Sequence, residues 1–397
     1  MAPIHSRVSH FVLSPELKLT DHRFLGRFQT IFDVHKESSF EVCPKCATKS
    51  FSVHDRRWVK IKDAPIRGNG ILLRIRKRRF RCPACKAVFT EPVGLVQKGY
   101  RTTRRFRKNL AWSCNNLLDL KRVQKAHKCS AWLVYKVFYE QLELEHRKIK
   151  NDPWPKTIGI DEHTFKRNKN KGYREFATVL VDYNHRRIKE VVHGKTAAGL
   201  QRDLYHIQGR ENVRNVVLDL CDPFKKFAKE HFPNARIVAD KFHVLRILNP
   251  AINKRRTSIT GDKRSNPVRK LLLRNGFKLE YFERKALWKW LDQNPDVKEV
   301  YFYKEALHQL YRTKGYHKAS RALTRLTDEM AHSNLPEIKT LRKTLMKWRN
   351  EILNYFITRL TNARTEGFNN LAKLYQKRAF GYKNFENYRL RLLNAGI

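Results

Sequence analysis

Three acidic residues stand where their carboxylates could converge on metal ions. Asp161 closes the apolar run TIGI and Asp240 closes IVA, so each acid is expected where a buried strand leaves its sheet. Glu366 lies at the start of the amphipathic segment TEGFNNLAKLY, whose polar side also carries Asn369 and Asn370. Converging carboxylates can hold two Mg²⁺ or Mn²⁺ ions that clamp the attacking and leaving oxygens of a phosphodiester. Either aspartate alone could equally be a helix N-cap, so the third acid decides in favour of a metal site.

Other polar residues close to these acids could support the site. Asp219 also ends an apolar run, in VVLDL, and could orient a substrate or assist the metal ligands. His243, three residues after Asp240, could contact a phosphate, and a satisfied structural histidine is the alternative. Glu162 points to the opposite side from Asp161 if the strand continues, so it is treated as secondary.

Four cysteines occur in two pairs of the form C-P-x-C, namely CPKC and CPAC. Each pair places two thiolates on one tight turn, where both can reach a single tetrahedral Zn²⁺. The spacing therefore predicts a structural zinc ribbon, and four reduced, unliganded cysteines are the alternative. The expected zinc ligands are Cys43, Cys46, Cys82 and Cys85. The other cysteines have no partner at ligand spacing and are interpreted as buried apolar side chains: Cys114, Cys129 and Cys221.

The composition indicates a polyanionic partner. The 397-residue chain has 84 Lys and Arg against 37 Asp and Glu, a formal net charge of +47. Residues 1–150 carry +21 and residues 151–397 carry +26, so no single basic tail explains the charge. The chain is 41% hydrophobic and 11% aromatic, which supplies packed cores and sets it apart from most ribosomal and histone-like proteins. Nucleic acid is the expected partner.

Membrane and secreted proteins fit the sequence poorly. No apolar stretch approaches the roughly 20 residues of a spanning helix, and the first residues, MAPIHSRVSH, lack the apolar region of a secretory signal. Seven cysteines, an odd number, suit metal ligation better than a disulfide framework. The sequence therefore predicts a cytoplasmic protein without a membrane partner.

Three segments carry basic residues suited to DNA phosphates. Six of the eight residues from 74 to 81 are basic, and this run leads directly into the second cysteine pair. Residues 104–142 suggest three helices, with breaks near 115–119 and 126–130 and with Ser130 placed to cap the last helix. This pattern suits a helix-turn-helix, although a three-helix packing unit without DNA contact is the alternative. The expected DNA-binding residues are Arg74, Arg76, Lys77, Arg78, Arg79 and Arg81, then Lys128 and Lys136, then Asn370, Lys373, Lys377 and Arg378.

The region that contains the aspartates alternates strand and helix. Buried strands are predicted at 156–161, 176–183, 215–220 and 235–240, and helices at 197–207 and 224–231. From about 246 to 360 the apolar residues recur three or four positions apart, which predicts helices. A final helix is expected to start near Thr365.

Five segments carry a resemblance to a known family, and they run in order from about residue 40 to the C-terminus. They are CPKC, RRFRCPACKAVFTEP, TIGIDEHTF, VVLDLCDPFKKFAKEHFPNARIVADKFHVLRILN and NARTEGFNNLAKLYQKRAFGYKNFENYRLRLL. In this order they resemble bacterial insertion-sequence transposases of the ISL type. The resemblance implies an RNase H-like α/β core whose DDE catalytic triad falls on Asp161, Asp240 and Glu366. The helical region between the last two would interrupt that core as an insertion domain.

We therefore expect a multidomain α+β chain. The expected parts are an N-terminal region with the zinc ribbon at 1–98, a helix-turn-helix at 99–150, the first part of the core at 151–245, the helical insertion at 246–360 and the last core helix at 361–397.

The resemblance also implies an activity. The protein would bind the terminal inverted repeats of an insertion sequence and a target, both double-stranded DNA, and would cleave and join strands with two Mg²⁺ ions. It would work as a homodimer or a larger assembly on DNA associated with the bacterial nucleoid. Two alternatives stay open: a transposase-derived DNA-binding protein without catalysis, and an RNase H-like structure-specific nuclease. The three intact acids argue against the first, and the long insertion with two DNA-binding modules favours transposition over the second.

Overall fold

The computed structural model describes residues 14–26, 28–116, 119–167, 172–261 and 266–395. The chain divides into two units, Met1–Glu143 and Leu144–Ile397. The first unit contains the expected zinc ribbon and most of the expected helix-turn-helix, and the second contains the expected core and insertion. The finer division into five parts remains a prediction.

A five-stranded sheet dominates the first unit. The strands of this unit are β1 (Leu17–Phe24), β2 (Gln29–Lys36), β3 (Glu41–Val42), β4 (Lys49–Ser50), β5 (Val53–Ile66), β6 (Asn69–Arg81) and β7 (Val88–Thr90). The sheet has the order β1–β2–β6–β5, with β7 also paired to β6, and β3 pairs separately with β4. Alternation along β6 buries Ile71, Leu73 and Ile75 on one face and places Arg74 and Arg76 on the other.

Three helices follow this sheet, as the sequence predicts: α1 (Arg104–Asn116), α2 (Leu120–Ala126) and α3 (Ala131–Ile149). The Asp119 carboxylate caps α2 by accepting the Arg122 N–H at 2.8 Å. The Ser130 hydroxyl caps α3 by accepting the Leu133 N–H at 3.2 Å. The three helices and the Ser130 cap are confirmed, whereas their use as a helix-turn-helix stays a prediction.

The second unit contains a mixed sheet of five strands. They are β8 (Thr157–Arg167), β9 (Arg174–Asp182), β10 (Arg187–His193), β11 (Asn215–Leu218) and β12 (Arg236–Ala239). Their order is β10–β9–β8–β11–β12, in which β10, β9 and β8 are antiparallel neighbours and β11 and β12 run parallel to β8. The four strands expected from apolar runs are present.

Two features of this sheet differ from the expectation. β8 does not end at Asp161 but continues to Arg167, because β9 keeps pairing with it as far as Arg174; only the parallel pairing with β11 stops at Ile160. The strand β10 was not predicted, because its sequence RIKEVVH is charged. Its Glu190 is nevertheless 6% exposed and forms an ion pair of 2.6 Å with Arg389, which makes burial of the charge possible.

Helices make up most of the rest of the second unit. They are α4 (Ala197–Leu204), α5 (Asp222–His231), α6 (Lys241–Arg246), α7 (Asn249–Thr260), α8 (Pro267–Leu273), α9 (Tyr281–Asp292), α10 (Pro295–Leu310), α11 (Tyr316–Glu329), α12 (Pro336–Lys347), α13 (Arg349–Thr358), α14 (Ala363–Arg378) and α15 (Phe385–Leu393). Within 246–261 and 266–360 there is no strand, so the helical expectation for that region is confirmed. The final predicted helix corresponds to α14. None of the helices in the described ranges combines the length and apolar character needed to cross a bilayer.

The helix α14 lies directly on the sheet because of one glycine. A Cβ atom added at Gly159 of β8 would lie 2.0 Å from Thr365 Oγ1 and 2.6 Å from Tyr183 Cε1. Thr365 is completely buried, and its hydroxyl forms a 3.0 Å hydrogen bond with that of Tyr183. The absence of a side chain at position 159 therefore lets the Glu366 helix approach the strand that carries Asp161.

Candidate active site and metal centres

Acidic residues at one edge of the second sheet form the candidate active site. Strands β8, β11 and β12 are parallel neighbours, with Leu218 opposite Ile160 on one side and Ala239 on the other. The residue that follows each of these three is an aspartate: Asp161, Asp219 and Asp240. Because equivalent ends of parallel strands meet at one sheet edge, the fold brings these carboxylates together.

His243 joins two of the acids. Its Nε2 lies 2.9 Å from Asp219 Oδ2, and its Nδ1 lies 3.1 Å from Asp240 Oδ2. One ligand atom from each of the three residues lies within 4.8 Å of the others, a spacing that a metal ion could bridge. Hydrogen bonds with Asp219 and then Asp240 raise the pKa of His243 to about 10. A protonated ring and a metal ion are alternative sources of positive charge between these carboxylates.

Asp240 is almost fully enclosed, with a side chain that is 2% exposed. Its Oδ2 caps α6 by accepting the Phe242 and His243 backbone N–H groups at 3.0 and 3.1 Å, while Oδ1 accepts the Asn362 N–H at 2.8 Å. Burial alone would raise the pKa of Asp240, but the hydrogen bonds from His243 and Asn362 outweigh it and lower the pKa. Asp240 is therefore a helix N-cap as well as a member of the acidic cluster.

Asp161 faces the same cluster from β8. Its Oδ1 accepts the Glu162 N–H at 2.7 Å, and its Oδ2 accepts the Asn369 side-chain amide at 2.6 Å. Burial, and then the nearby charge of Asp219, raise the pKa of Asp161 to about 7. Crowded carboxylates of this kind are the donors that Mg²⁺ and Mn²⁺ prefer, so the residues present fit a hard divalent ion.

Glu366 stands in the first turn of α14 and is exposed. Asn362 and Asn369, four residues before it and three after it, share its helix face. The Asn362 side chain donates to Asp219 Oδ1 at 3.1 Å, and Asn369 donates to Asp161. The glutamate thus lies between two residues that touch the strand-borne acids, although its carboxylate and that of Asp161 lie outside the compact group around His243.

Two asparagines, Asn362 directly before α14 and Asn369 within it, and the aspartate Asp219 are functional candidates that the sequence reasoning missed or placed second. Asn369 was assigned only to a polar helix face, and Asn362 was not considered. Asp219 was considered as support, yet it contacts both His243 and Asn362. The available signal was the repeated pattern of an apolar run followed by an acid in TIGID, VVLD and RIVAD. Glu162 forms an ion pair of 3.4 Å with Lys195.

The four paired cysteines form a second candidate metal centre. Their Sγ atoms are 3.6 Å apart for Cys43 and Cys85, 3.4 Å for Cys46 and Cys82, and 3.5 Å for Cys46 and Cys85. Tetrahedral ligation at about 2.3 Å requires Sγ separations of about 3.8 Å, close to these values. The hydrogen bond with Thr48 helps to lower the pKa of Cys46 to about 6. The backbone hydrogen bond with Ala87 opposes the change at Cys85, but hydrogen bonding to Cys46 and burial raise the pKa of Cys85 to about 11. Cys46 is therefore the cysteine most readily present as the thiolate that binds Zn²⁺.

The two cysteine turns have the same backbone structure. In the first, the Ala47 N–H donates to the Cys43 carbonyl at 2.9 Å; in the second, the Lys86 N–H donates to the Cys82 carbonyl at 3.1 Å. Ala47 and Lys86 both have positive φ, at 58° and 57°. Each turn also lies at the end of a hairpin, between β3 and β4 or between β6 and β7. The sequence-based grouping of the four cysteines is confirmed.

The basic run of β6 is only partly available to a partner. Arg74 pairs with Asp33, Arg78 with Glu91 at 2.8 Å, and Arg79 with Asp55 at 3.0 Å. Arg76 and Arg81 are exposed, and Lys77 is partly buried. Of the other expected DNA contacts, these are exposed: Lys128, Asn370, Lys373 and Lys377. Lys136 packs over the Trp132 ring, 4.7 Å from its centroid, and Arg378 is partly buried.

Two family models match this chain. A model described as a transposase of the ISL3 type matches residues 158–392, and one described as the zinc-finger of transposase IS204/IS1001/IS1096/IS1165 matches residues 39–85. The first covers the acidic sheet edge and α14, and the second covers the cysteine cluster. The class of protein is therefore a transposase, and the chain belongs to the ISL3 family. Transposases act on DNA, which agrees with the net charge.

Curated relatives agree with this assignment. The chain is 24% identical over 369 residues to the transposase for insertion sequence element IS1001 of Bordetella parapertussis, covering 89% of this chain and 88% of the relative. It is also 24% identical over 258 residues to the transposase for insertion sequence element IS1557 of Mycobacterium tuberculosis, covering 57% of each.

Proposed function

We propose that this ISL3 transposase is a DDE enzyme that binds the terminal inverted repeats of an insertion sequence and catalyses Mg²⁺-dependent DNA strand cleavage and strand transfer. The observation that carries the proposal is the meeting of Asp161, Asp219 and Asp240 at one sheet edge beneath the helix of Glu366. Acids drawn from separate strands and a helix to one place are an arrangement suited to two-metal phosphodiester chemistry.

The strand order supports an RNase H-like core. Three antiparallel strands are followed by two strands parallel to the first, and α14 then packs on the first strand. This mixed sheet with a covering helix suits the RNase H-like α/β core that the resemblance implies. The helices between β12 and α14 would then be the insertion that interrupts this core. They separate Asp240 from Glu366 in sequence, while Asn362 reconnects the two in space.

The metal ligands proposed from the sequence are Asp161, Asp240 and Glu366, and the geometry adds Asp219. Asp240 accepts several protein hydrogen bonds and is nearly inaccessible, whereas the Asp219 side chain is 15% exposed. We therefore propose that Asp219 is a ligand and that Asp240 also orients His243. Two Mg²⁺ or Mn²⁺ ions, when bound, would activate the attacking oxygen and stabilise the leaving oxygen.

The protein's own part in the reaction is positioning. The exposed side chains of Glu366, Asn370, Lys373 and Lys377 recur at three- and four-residue steps, so they form one stripe along α14. DNA phosphates bound along the basic end of that stripe would bring the adjoining strand to the acids at the other end. No nucleophile from the protein is required.

The first unit would recognise the ends of the element. Four cysteines holding a structural Zn²⁺ would stiffen the strand β6, whose Arg76 and Arg81 would then contact phosphates. The helices α1 to α3 would form a helix-turn-helix, with Lys128 and Lys136 beside the DNA. Joining two ends requires two recognition surfaces, so a homodimer or larger assembly on double-stranded DNA is proposed, acting at the bacterial nucleoid in the cytoplasm.

The test is cleavage and joining of labelled DNA that carries the element's own ends, with Mg²⁺, comparing the natural protein with Asp161→Asn and Glu366→Gln. The natural protein is expected to join ends to target, while both variants bind the ends without cutting them. End binding without reaction by all three proteins would favour a non-catalytic DNA-binding protein. Cleavage without joining would favour a structure-specific nuclease.

A further inference from the structure

A chain of buried polar side chains stands behind Asp161. It consists of Asn369 on α14, His163 on β8 and Tyr388 on α15, whose exposures are 3%, 4% and 0%. Asn369 Nδ2 donates to Asp161 Oδ2 at 2.6 Å, and Asn369 Oδ1 lies 3.1 Å from His163 Nδ1. The Tyr388 hydroxyl forms a hydrogen bond with His163 Nε2.

The chemistry of these groups determines the direction of every hydrogen bond. As a metal ligand Asp161 would be ionised and could only accept, so the amide nitrogen of Asn369 faces Asp161 and its oxygen faces His163. His163 therefore carries its proton on Nδ1, which leaves Nε2 as an acceptor for the Tyr388 hydroxyl. The ring is only 4% exposed, and burial disfavours the charged form of an imidazole.

We propose that Asn369, His163 and Tyr388 are positioning residues that hold Asp161 in the orientation needed to bind metal. This inference rests on the proposed role of Asp161 as a metal ligand. With Oδ2 held by Asn369 and Oδ1 by the Glu162 N–H, the carboxylate cannot rotate freely, and each oxygen keeps a lone pair for an ion. Hydrogen bonds behind ligands commonly orient them and tune metal affinity.

The same chain couples the acid of the sheet to the acid of the helix. Asn369 is three residues after Glu366, so its two hydrogen bonds also determine the rotation of α14 over β8. Asn362, on the other side of Glu366, makes the equivalent contacts with Asp219 and Asp240. The helix therefore docks with its glutamate in one position relative to all three aspartates.

Removing the Tyr388 hydroxyl tests the chain at its far end. The Tyr388 ring is held independently by aromatic contacts with Phe165, Tyr382 and Phe385, at centroid distances of 5.2, 5.1 and 6.3 Å. Tyr388→Phe keeps this packing, and the substituted side chain is completely buried. A matched control is Tyr303→Phe, which also removes a buried tyrosine hydroxyl, one that donates to the Glu329 carbonyl at 3.2 Å.

The experiment measures Mn²⁺ binding to the full-length protein from the electron paramagnetic resonance signal of free Mn²⁺, together with the Mg²⁺ concentration that gives half-maximal cleavage. Asn369→Ala is expected to weaken Mn²⁺ binding about 10-fold and to raise the Mg²⁺ concentration for half-maximal cleavage about 10-fold. These changes are at the lower end of the usual range for groups behind a ligand. Tyr388→Phe is expected to change the Mn²⁺ affinity and the Mg²⁺ requirement about 3-fold in the natural background. It should change neither in the Asn369→Ala background, because its effect passes through Asn369. Tyr303→Phe should match the natural protein.

The results that would overturn this inference differ from the result that would overturn the proposed metal site. If Asn369→Ala binds Mn²⁺ like the natural protein, or if Tyr388→Phe has the same effect in both backgrounds, the chain is a packing feature only. If Asp161→Asn also binds Mn²⁺ normally, the proposed metal site itself fails. Thermal unfolding of each variant without metal shows whether any change comes from loss of the fold. Where Asn369→Ala does not fold, the decisive comparison is between Tyr388→Phe and Tyr303→Phe, and equal Mn²⁺ affinity of these two variants would overturn the inference.

Discussion

The two candidate metal centres are built on opposite principles. The cysteine cluster is assembled from two turns of four residues that share one backbone pattern, each at the end of a hairpin. The acidic edge brings together aspartates that lie in or directly follow three neighbouring strands, and the proposed site adds a glutamate from a helix more than a hundred residues further along the chain. Local turn geometry sets the first centre, whereas the second exists only once the sheet order and the docking of α14 are complete. The two centres should therefore respond differently to substitution.

Loss of zinc should have the largest effect, and it should stay local. A structural Zn²⁺ site contributes on the order of 10 kcal/mol to the stability of a small domain. In Cys82→Ser we expect the zinc content of the purified protein to fall to near zero and the 39–90 region to become sensitive to protease. Mn²⁺ binding at the acidic edge should persist. Simultaneous loss of both metals would contradict the independence of the two centres.

Removing one acid should abolish the reaction without unfolding the protein. Asp219→Asn is expected to reduce strand cleavage about 10³-fold, equivalent to about 4 kcal/mol of transition-state stabilisation. Its melting temperature should change little, because Asn keeps the shape of the side chain. Asp240→Asn should also lose cleavage. It should not unfold, because Asn remains a good N-cap. Asp240→Ala should in addition lose about 1–2 kcal/mol of stability, as measured by urea unfolding, through loss of the α6 cap.

Disturbing the docking of α14 should damage the acidic centre from a distance. Gly159→Ala places a methyl group against Thr365 and Tyr183, and overpacking of this kind commonly destabilises by about 1–3 kcal/mol. Cleavage and Mn²⁺ affinity should fall together, because Glu366 and Asn369 move with the helix. Gly367→Ala is the matched control: among the described residues, no atom beyond its chain neighbours and its own helix backbone lies within 4 Å of the added methyl group, so the unfolding free energy should rise slightly. Normal Mn²⁺ affinity in Gly159→Ala would mean that the helix does not set the site.

The smallest effect should separate two arginines of β6. Arg74→Ala leaves the buried Asp33 with one ion-pair partner fewer and should cost about 1–2 kcal/mol of stability. Arg76 is exposed, so Arg76→Ala should leave stability within about 0.5 kcal/mol of the natural protein. It should instead weaken DNA binding. The slope of binding affinity against salt concentration should fall by about 1, as expected for the loss of one phosphate contact. Equal stability of the two variants would contradict the structural role of Arg74.

Much of the secondary structure was accessible from the pattern of residues. Apolar runs predicted four strands of the second sheet, and the capping residue Ser130 predicted the start of α3. The strand β10 escaped because its buried Glu190 is neutralised by Arg389, which lies about two hundred residues away in the chain. The basic run of β6 looked uniformly available to DNA, but Arg74, Arg78 and Arg79 are paired with acids that lie outside β6. In each case a distant partner changed the meaning of a local pattern.

The sequence by itself determined the grouping of the paired cysteines, the net charge, the three helices of the first unit and the acids that end apolar runs. These features depend on short-range chemistry: two thiolates on one turn, a side chain that caps its own helix, and alternation along a strand. Only the tertiary structure decided that Asp219 joins Asp240 and His243, that Asp161 lies within a longer strand, and that Asn369 faces Asp161. The physical reason is that these relations are set by strand order and by the contact between α14 and Gly159, and no short stretch of sequence contains both partners.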